Sequence, residues 1–396
     1  MMNVNLEDYR DIDPGERVLM GPGPSNVSPR VLQAMAAPCI GHLDPYFLGV
    51  MDETQRLLRH LFQTNHALTI PVSGTGSAGM ETCFVNLLET GDEAVVCVNG
   101  VFGERMCDIV NRLGCKLIRV DAEWGRAIDP EAVRKAVQGR HPKLIAMVHA
   151  ETSTGACTPI EPMAGIAGDV GALLLADTVT SLGGMEVTVD KWGIDAVYSG
   201  TQKCISCPPG LSPISFSEKA MDVIQSRKSP VVSWYLDMNM VGSYWTAERK
   251  YHHTAPINMI YGFREALRII AEEGLEARFA RHEINHRALV AGIEAMGLCM
   301  HVPEAERIPM LNTVRIPEGA DDLKVRKMLL EAFGLEIGGG LGGLAGKVWR
   351  VGLMGHASTQ RNVFLFLQAL ESALKSQGIA VKPGALEETA AVYAAL

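Results

Sequence analysis

Long apolar runs are missing from this chain. No uninterrupted stretch reaches the length that spans a bilayer, so a helical membrane protein is not expected. The N-terminus, Met-Met-Asn-Val-Asn-Leu-Glu-Asp-Tyr-Arg, has no apolar centre and does not read as a secretory signal. The C-terminus, Val-Tyr-Ala-Ala-Leu, is not a peroxisomal Ser-Lys-Leu address. Excess positive charge is missing too. The net charge is −9, and nucleic-acid phosphates need clustered Lys and Arg, so nucleic acid is not an expected partner. A disulfide framework is also lacking: the nine cysteines are odd in number and scattered, which suits a reducing compartment. A cytoplasmic location is the expectation that remains. Internal repeats and low-complexity segments are not evident. The 396 residues, 47% hydrophobic and 20% charged, are ordinary for a soluble globular protein and suffice for two or three structural units around a large core.

The pattern along the chain predicts an α/β protein. Residues 1–20 read as an N-terminal arm, followed by the turn-rich Gly21-Pro22-Gly23-Pro24-Ser25-Asn26 and a short helix near 29–36. From about residue 66, short apolar segments at 68–72, 94–98, 115–120, 144–148 and 172–176 alternate with helical stretches such as 105–113 and 130–137. That alternation predicts a mostly parallel sheet covered by helices on both faces. Beyond about residue 265 the pattern changes. Helices at 265–273, 281–296, 323–332 and 361–375, with strands at 311–316 and 347–351, read as a smaller α+β domain. The expected division is an arm over 1–20, a large domain over 21–270 and a small domain over 271–396.

Ser73-Gly74-Thr75-Gly76-Ser77-Ala78-Gly79 contains Gly-x-Gly-x-x-Gly between a strand and a helix. Alone, this is a dinucleotide fingerprint. Such a site also needs an acid at the end of the following strand. That strand ends near Val98 and runs into Asn99-Gly100, while Asp92 and Glu93 stand at its beginning. The motif is therefore better read as a cup for a single phosphate, with hydroxyls from Thr75 and Ser77 beside free helix N–H groups. A purely structural turn is the other reading.

Two further residues give the phosphate a context. Lys203 follows the strand-like Ala196-Val197-Tyr198 in the polar turn Ser199-Gly200-Thr201-Gln202, and Asp177 ends an apolar strand. A lysine and an aspartate at adjacent strand ends suit pyridoxal phosphate: the lysine forms a Schiff base, and the carboxylate keeps the pyridine nitrogen protonated. An ordinary Arg or Lys partner for Asp177 is the alternative. Phe102, after a strand end, is placed to stack on a flat ring or to serve as core. Thr152 is placed to reach a phenolic oxygen or to cap a turn. Arg350, in the apolar Val348-Trp349-Arg350-Val351, needs a partner, either a substrate carboxylate or a structural acid. The lone pair Cys204 and Cys207 is weak evidence for a metal, and none is expected.

With these motifs in place, the chain resembles the alanine–glyoxylate and serine–glyoxylate aminotransferases of class V, fold type I. The likeness runs from Gly21-Pro-Gly-Pro-Ser-Asn and Gly41-His42-Leu-Asp through the glycine loop, His149-Ala-Glu-Thr-Ser-Thr-Gly155, Asp177-Thr-Val-Thr-Ser-Leu-Gly-Gly184 and Ser199-Gly-Thr-Gln-Lys203. It continues through Tyr251-His-His-Thr254 and Gly338-Gly-Gly-Leu-Gly342 to Lys347-Val-Trp-Arg-Val-Gly-Leu-Met-Gly355. The resemblance implies that Lys203 is the catalytic Schiff-base lysine, that Asp177 pairs with the pyridine nitrogen, and that Val179 packs on the ring. It implies Thr75, Gly76, Ser77 and Gln202 as phosphate ligands, Phe102 as the stacking residue, and Thr152 beside the phenolic oxygen. Tyr251 and Thr254 match positions that reach the phosphate from a second subunit, which implies a homodimer. Arg350, Gly23 and His42 match substrate-binding positions. Phe102 stands where many members have tryptophan, and Ser77 where some animal members have histidine. The implied reaction moves the amino group of alanine or serine to glyoxylate by a ping-pong route.

Ureidoglycine–glyoxylate aminotransferases share the scaffold and a tail like Gly384–Leu396, but those considered carry Gln at the position of His42. Pyridoxamine–pyruvate aminotransferases place an acid in the phosphate cup, which this chain does not. A lyase or desulfurase of the same fold is the runner-up, and a nicotinamide dehydrogenase is supported by the glycine loop alone.

Overall fold

The structure is a computed structural model, and it describes Asn5 and residues 9–395. Seven segments form the central sheet: β1 (Leu68–Ser73), β2 (Glu93–Val98), β3 (Lys116–Asp121), β4 (Leu144–Val148), β5 (Leu173–Asp177), β6 (Ala196–Tyr198) and β7 (Leu211–Phe216). Their spatial order is β1-β7-β6-β5-β4-β2-β3. All run the same way except β7, which lies antiparallel between β1 and β6. Every residue of β4, β5 and β7 is buried, because helices cover both faces, which is why β4 and most of β5 are continuous apolar runs rather than alternating ones.

The alternation over 66–177 is as expected. β7 is an addition. Its sequence, Leu-Ser-Pro-Ile-Ser-Phe, carries a proline in a strand flanked on both sides, which weakens any strand signal. Pro213 stands opposite Pro71 of the edge strand β1, and its carbonyl accepts from the N–H of Ser199 at 2.8 Å. Helices over Pro45–Phe62, Met238–Trp245 and Ala385–Ala394 also go beyond the expected pattern. The helix after the glycine loop begins at Gly76, inside the motif itself.

Among the described residues the apolar core divides into two large clusters and a small third one around Ala150, Cys204, Ile308, Met310, Leu311 and Met354. The larger surrounds the sheet. The smaller gathers Leu289, Ile293, Val314, Leu329, Trp349, Val351, Phe366 and Leu370 around a three-stranded sheet of Leu311–Arg315, Val348–Gly352 and Gly338–Gly339. Val18–Leu19 pairs in parallel with Leu335–Glu336, and Met20 belongs to the smaller core. The rest of the expected arm lies partly outside the described residues. The helices Ile257–Glu273 and Leu275–Ala295 join the two cores.

Sheet direction decides where chemistry can occur. β1, β2, β4, β5 and β6 are parallel, so their C-terminal ends share one edge. The segments leaving that edge carry the glycine loop, Phe102, Thr152, Asp177 and Lys203. Ligands of open parallel sheets lie at this edge.

Candidate active site

The glycine loop presents an open helix end. Thr75 is the N-cap of Gly76–Leu87, yet its hydroxyl makes no capping bond, and both Thr75 and Ser77 are exposed. A Cβ on Gly76 would lie 3.3 Å from Val179 Cγ2 and 3.6 Å from the Ser199 carbonyl oxygen. Gly76 thus lets the helix end approach both Val179 and the loop that leads to the lysine. Gln202 lies beside it: its Oε1 is buried without a hydrogen-bond partner. The side-chain amide can turn either end to the same point, so this residue is short of a ligand.

Asp177 and Lys203 are both buried, at 3% and 7% exposure. Asp177 Oδ1 accepts from the N–H of Val179 at 2.8 Å, and Oδ2 accepts from the hydroxyl of Tyr198 at 2.6 Å. Burial nevertheless raises the Asp177 carboxyl from 3.8 to about 7. Burial, then the nearby Arg350 guanidinium, lowers the Lys203 amine to about 8. Asp177 and Glu151 pull that amine the other way, which puts all four groups in one electrostatic neighbourhood. Lys203 Nζ donates to the carbonyl of Pro22. A Cβ on Gly23, whose φ is +100°, would lie 2.6 Å from Lys203 Cδ. Only glycine both adopts this backbone and clears the lysine stem.

Arg350 lies on Val348–Gly352, across from Lys203. Its Nε donates to Gly339 O at 2.7 Å and its Nη1 to Thr152 O at 3.3 Å. A guanidinium has about five donors, so several remain for a ligand. Burial lowers it to about 10, which leaves it charged at neutral pH. Thr152 is buried, and its hydroxyl pairs with that of Thr180. Phe102 donates its N–H to Glu151 Oε2 at 3.2 Å, and its ring carries the Arg105 guanidinium carbon 4.9 Å from the centroid.

Tyr251 and Thr254 lie on the segment that follows the helix Met238–Trp245. Both are exposed, and their hydroxyls lie 3.1 Å apart. The Tyr251 ring sits 4.8 Å from that of His42, and the His42 carbonyl accepts from the hydroxyl of Tyr244 at 2.5 Å. Val232, Trp234 and Tyr235 are exposed as well, and His253 reaches Ser73 Oγ at 3.4 Å. Cys204 and Cys207 are buried thiols, each raised by burial to about 12 and so inert. Among the described residues no group of three or more His, Cys, Asp or Glu side chains is arranged for a metal.

Two residues of this site carry no signal in their own segments. Tyr198 reads only as a strand residue, and its bond to Asp177 depends on the pairing of β5 with β6. Glu151 is fully buried and accepts from the Ser153 N–H at 2.9 Å and the Ser153 hydroxyl at 2.6 Å. It also lies directly beneath Gly100, where a Cβ would sit 2.4 Å from its carboxyl carbon.

A buried lysine and acid at adjacent strand ends, an open helix N-terminus and a buried guanidinium from the strand Val348–Gly352 stand together in an α/β fold shared with the aminotransferases of fold type I. The family profile Aminotransferase class-V matches residues 18–363, and the chain belongs to that family. It is similar to (S)-ureidoglycine–glyoxylate transaminase of Bacillus subtilis (strain 168), with 40% identity over 396 residues, 95% of each chain. It is similar also to alanine–glyoxylate aminotransferase of Drosophila melanogaster, with 39% identity over 371 residues, 92% of this chain and 94% of that one. The solved alanine–glyoxylate aminotransferase of Nostoc sp. superposes with a TM-score of 0.90 at 48% identity, covering 94% of this chain and all of that one.

Proposed function

We propose that the chain is a pyridoxal-phosphate aminotransferase that passes the amino group of a small amino acid, alanine or serine, to glyoxylate or another small 2-oxo acid. The observation that carries this is the burial of Lys203 and Asp177 in one neighbourhood beside an open helix N-terminus. The residues present fit the cofactor. Thr75, Ser77 and the N–H groups of Gly76–Leu87 offer phosphate donors, Gln202 has a buried polar atom without a partner, and Val179 forms an apolar wall against Gly76. When bound, pyridoxal phosphate supplies an aldehyde for a lysine amine and a ring that takes up the electron pair left by a departing α-proton.

The side chains divide the remaining work. Lys203 Nζ, with an acidity shifted to about 8, is partly neutral near physiological pH and so is able to take up and return the α-proton of the donor. Asp177 would pair with the protonated ring nitrogen of the bound cofactor. Arg350 binds the substrate carboxylate, its fork matching two oxygens. Donor and acceptor use the same site in turn, a ping-pong order. The exposed Tyr251 and Thr254, beside the half-buried His42, fit a homodimer in which each subunit completes its partner's phosphate site.

The 40% identity to a ureidoglycine–glyoxylate transaminase over 95% of both chains favours ureidoglycine as a second donor to consider. A matrix of donors against acceptors separates it from alanine and serine. Borohydride reduction of the cofactor-loaded protein, followed by peptide mapping, should label Lys203. Label on another lysine ends the assignment, and turnover of a single substrate without a 2-oxo acid indicates a lyase.

A further inference from the structure

We propose that Tyr198 is a positioning residue that, by donating its hydroxyl to Asp177, keeps the proton shared with the cofactor on the pyridine nitrogen rather than on the carboxylate. This rests on the pyridoxal-phosphate reading above.

The geometry is specific. Asp177 and Tyr198 are register partners on the parallel strands β5 and β6. Their side chains meet through one hydrogen bond of 2.6 Å, with Tyr198 fully buried. The tyrosine is held from three sides. Its carbonyl accepts from the Thr178 N–H at 2.9 Å and the Thr178 hydroxyl at 3.0 Å, and Ile214 of β7 flanks it in the sheet. The helix Gly76–Leu87 lies on it at Gly79, where even a Cβ would come 3.2 Å from Tyr198 Cβ. The phenol itself cannot ionise there, because burial and then Asp177 push it well above its usual range. It is a permanent donor.

Asp177 needs such a donor. The ionisable groups around it are Tyr198 on β6, Lys203 on the following loop, Glu151 after β4 and Cys83 on the helix Gly76–Leu87. Cys83 is uncharged in its buried position, and Glu151 raises the proton affinity of the aspartate rather than lowering it. The donors to the carboxylate are therefore the Val179 N–H, the Tyr198 hydroxyl and whatever the cofactor brings. A carboxylate with two donors besides the ring N–H is a weak base; with one, it is a stronger one. Removing the phenol hydroxyl moves the shared proton from nitrogen to Asp177 Oδ2. No other bond changes, but the ring loses its positive charge and becomes a poorer electron acceptor.

The test uses the pyridoxal-phosphate-loaded protein and the variant Tyr198→Phe, which keeps the ring that fills the space. The pH at which the lysine-bound cofactor changes colour should rise by about one unit, since a neutral ring no longer acidifies the imine proton. The kcat should fall on the order of tenfold, with KM for the amino donor changed by less than about twofold. Placing a fluorinated, more acidic tyrosine at position 198 should shift the colour change in the opposite direction. With a cofactor analogue carrying CH in place of the ring nitrogen, wild type and Tyr198→Phe should become indistinguishable. A purely structural role predicts that the difference persists with the analogue, and that result overturns the proposal, as does an unchanged titration. A wild-type protein that binds no cofactor on Lys203 overturns the functional reading instead.

Discussion

Asp177 is a carboxylate whose surroundings work against its charge until a cationic partner arrives. Its carboxyl is raised from 3.8 to about 7, with burial the leading cause. Between those values the folded chain holds a proton that the unfolded chain has lost. Asp177 therefore lowers stability progressively as pH rises through that window, and its full cost is present above about pH 7. Asp177→Asn should thus stabilise the cofactor-free protein at pH 8 by about 1–3 kcal/mol. The gain should vanish near pH 4, as read by denaturant titration at both pH values. The same variant should lose on the order of 10²-fold in kcat, because the ring then has no fixed negative charge beside it. A variant no more stable than wild type at pH 8 would show that the site accommodates the ionised acid without strain. Arg350 obeys a different logic. It is charged, and two backbone carbonyls take only part of its donor capacity. Arg350→Ala should raise KM for both carboxylate substrates on the order of 10- to 100-fold with a smaller change in kcat. An unchanged KM refutes the anchoring role.

At the scale of elements, the helix Leu275–Ala295 acts as a strut between the lysine loop and the smaller core. Arg278, 3% exposed, donates to the carbonyls of Gly183 at 2.8 Å and Cys204 at 2.5 Å, and pairs with Glu273 at 2.6 Å. One turn on, Arg281 shares Glu273 and donates to the carbonyls of Gly355 and Ser358. The carbonyl of Cys204 directly follows the lysine, and Gly355 follows the strand that carries Arg350. Cutting Arg278 leaves two buried carbonyls and part of an acid without partners. Arg278→Ala should cost about 2–4 kcal/mol of stability. It should also speed cofactor release, seen as faster loss of lysine-bound colour after dilution into a cofactor trap. A stability loss without faster release would confine the strut to a structural role.

At the scale of the whole molecule, the exposed Tyr251 and Thr254 stand together beside the half-buried His42. If each completes a partner's site, two defective subunits can repair one another. Dimers formed between a Lys203→Ala chain and a Tyr251→Ala chain should regain activity that neither homodimer shows, because one of their two sites is intact. Activity in the mixture no higher than in the separate variants would place Tyr251 in its own chain's chemistry. Sedimentation of the wild type should give a dimer, consistent with the exposed Val232, Trp234 and Tyr235 near the same region.

The alternation of short apolar strands with helices, the glycine loop, and a lysine and an aspartate at strand ends were all legible in the linear sequence. Each is a local pattern set by backbone periodicity or by residues a few positions apart. Tertiary structure decided the rest. The parallel run of β1, β2, β4, β5 and β6 brings separate loops to one edge. The pairing of β5 with β6 puts the Tyr198 hydroxyl on Asp177. The approach of Glu151 beneath Gly100, and of Arg278 to the loop after Lys203, joins residues 51 and 74 positions apart. Such contacts leave no periodic trace, because nothing in a residue's own segment records which distant chain will lie against it. The proline strand β7 shows the same from the other side: its local preference argues against a strand, and burial between β1 and β6 overrides it.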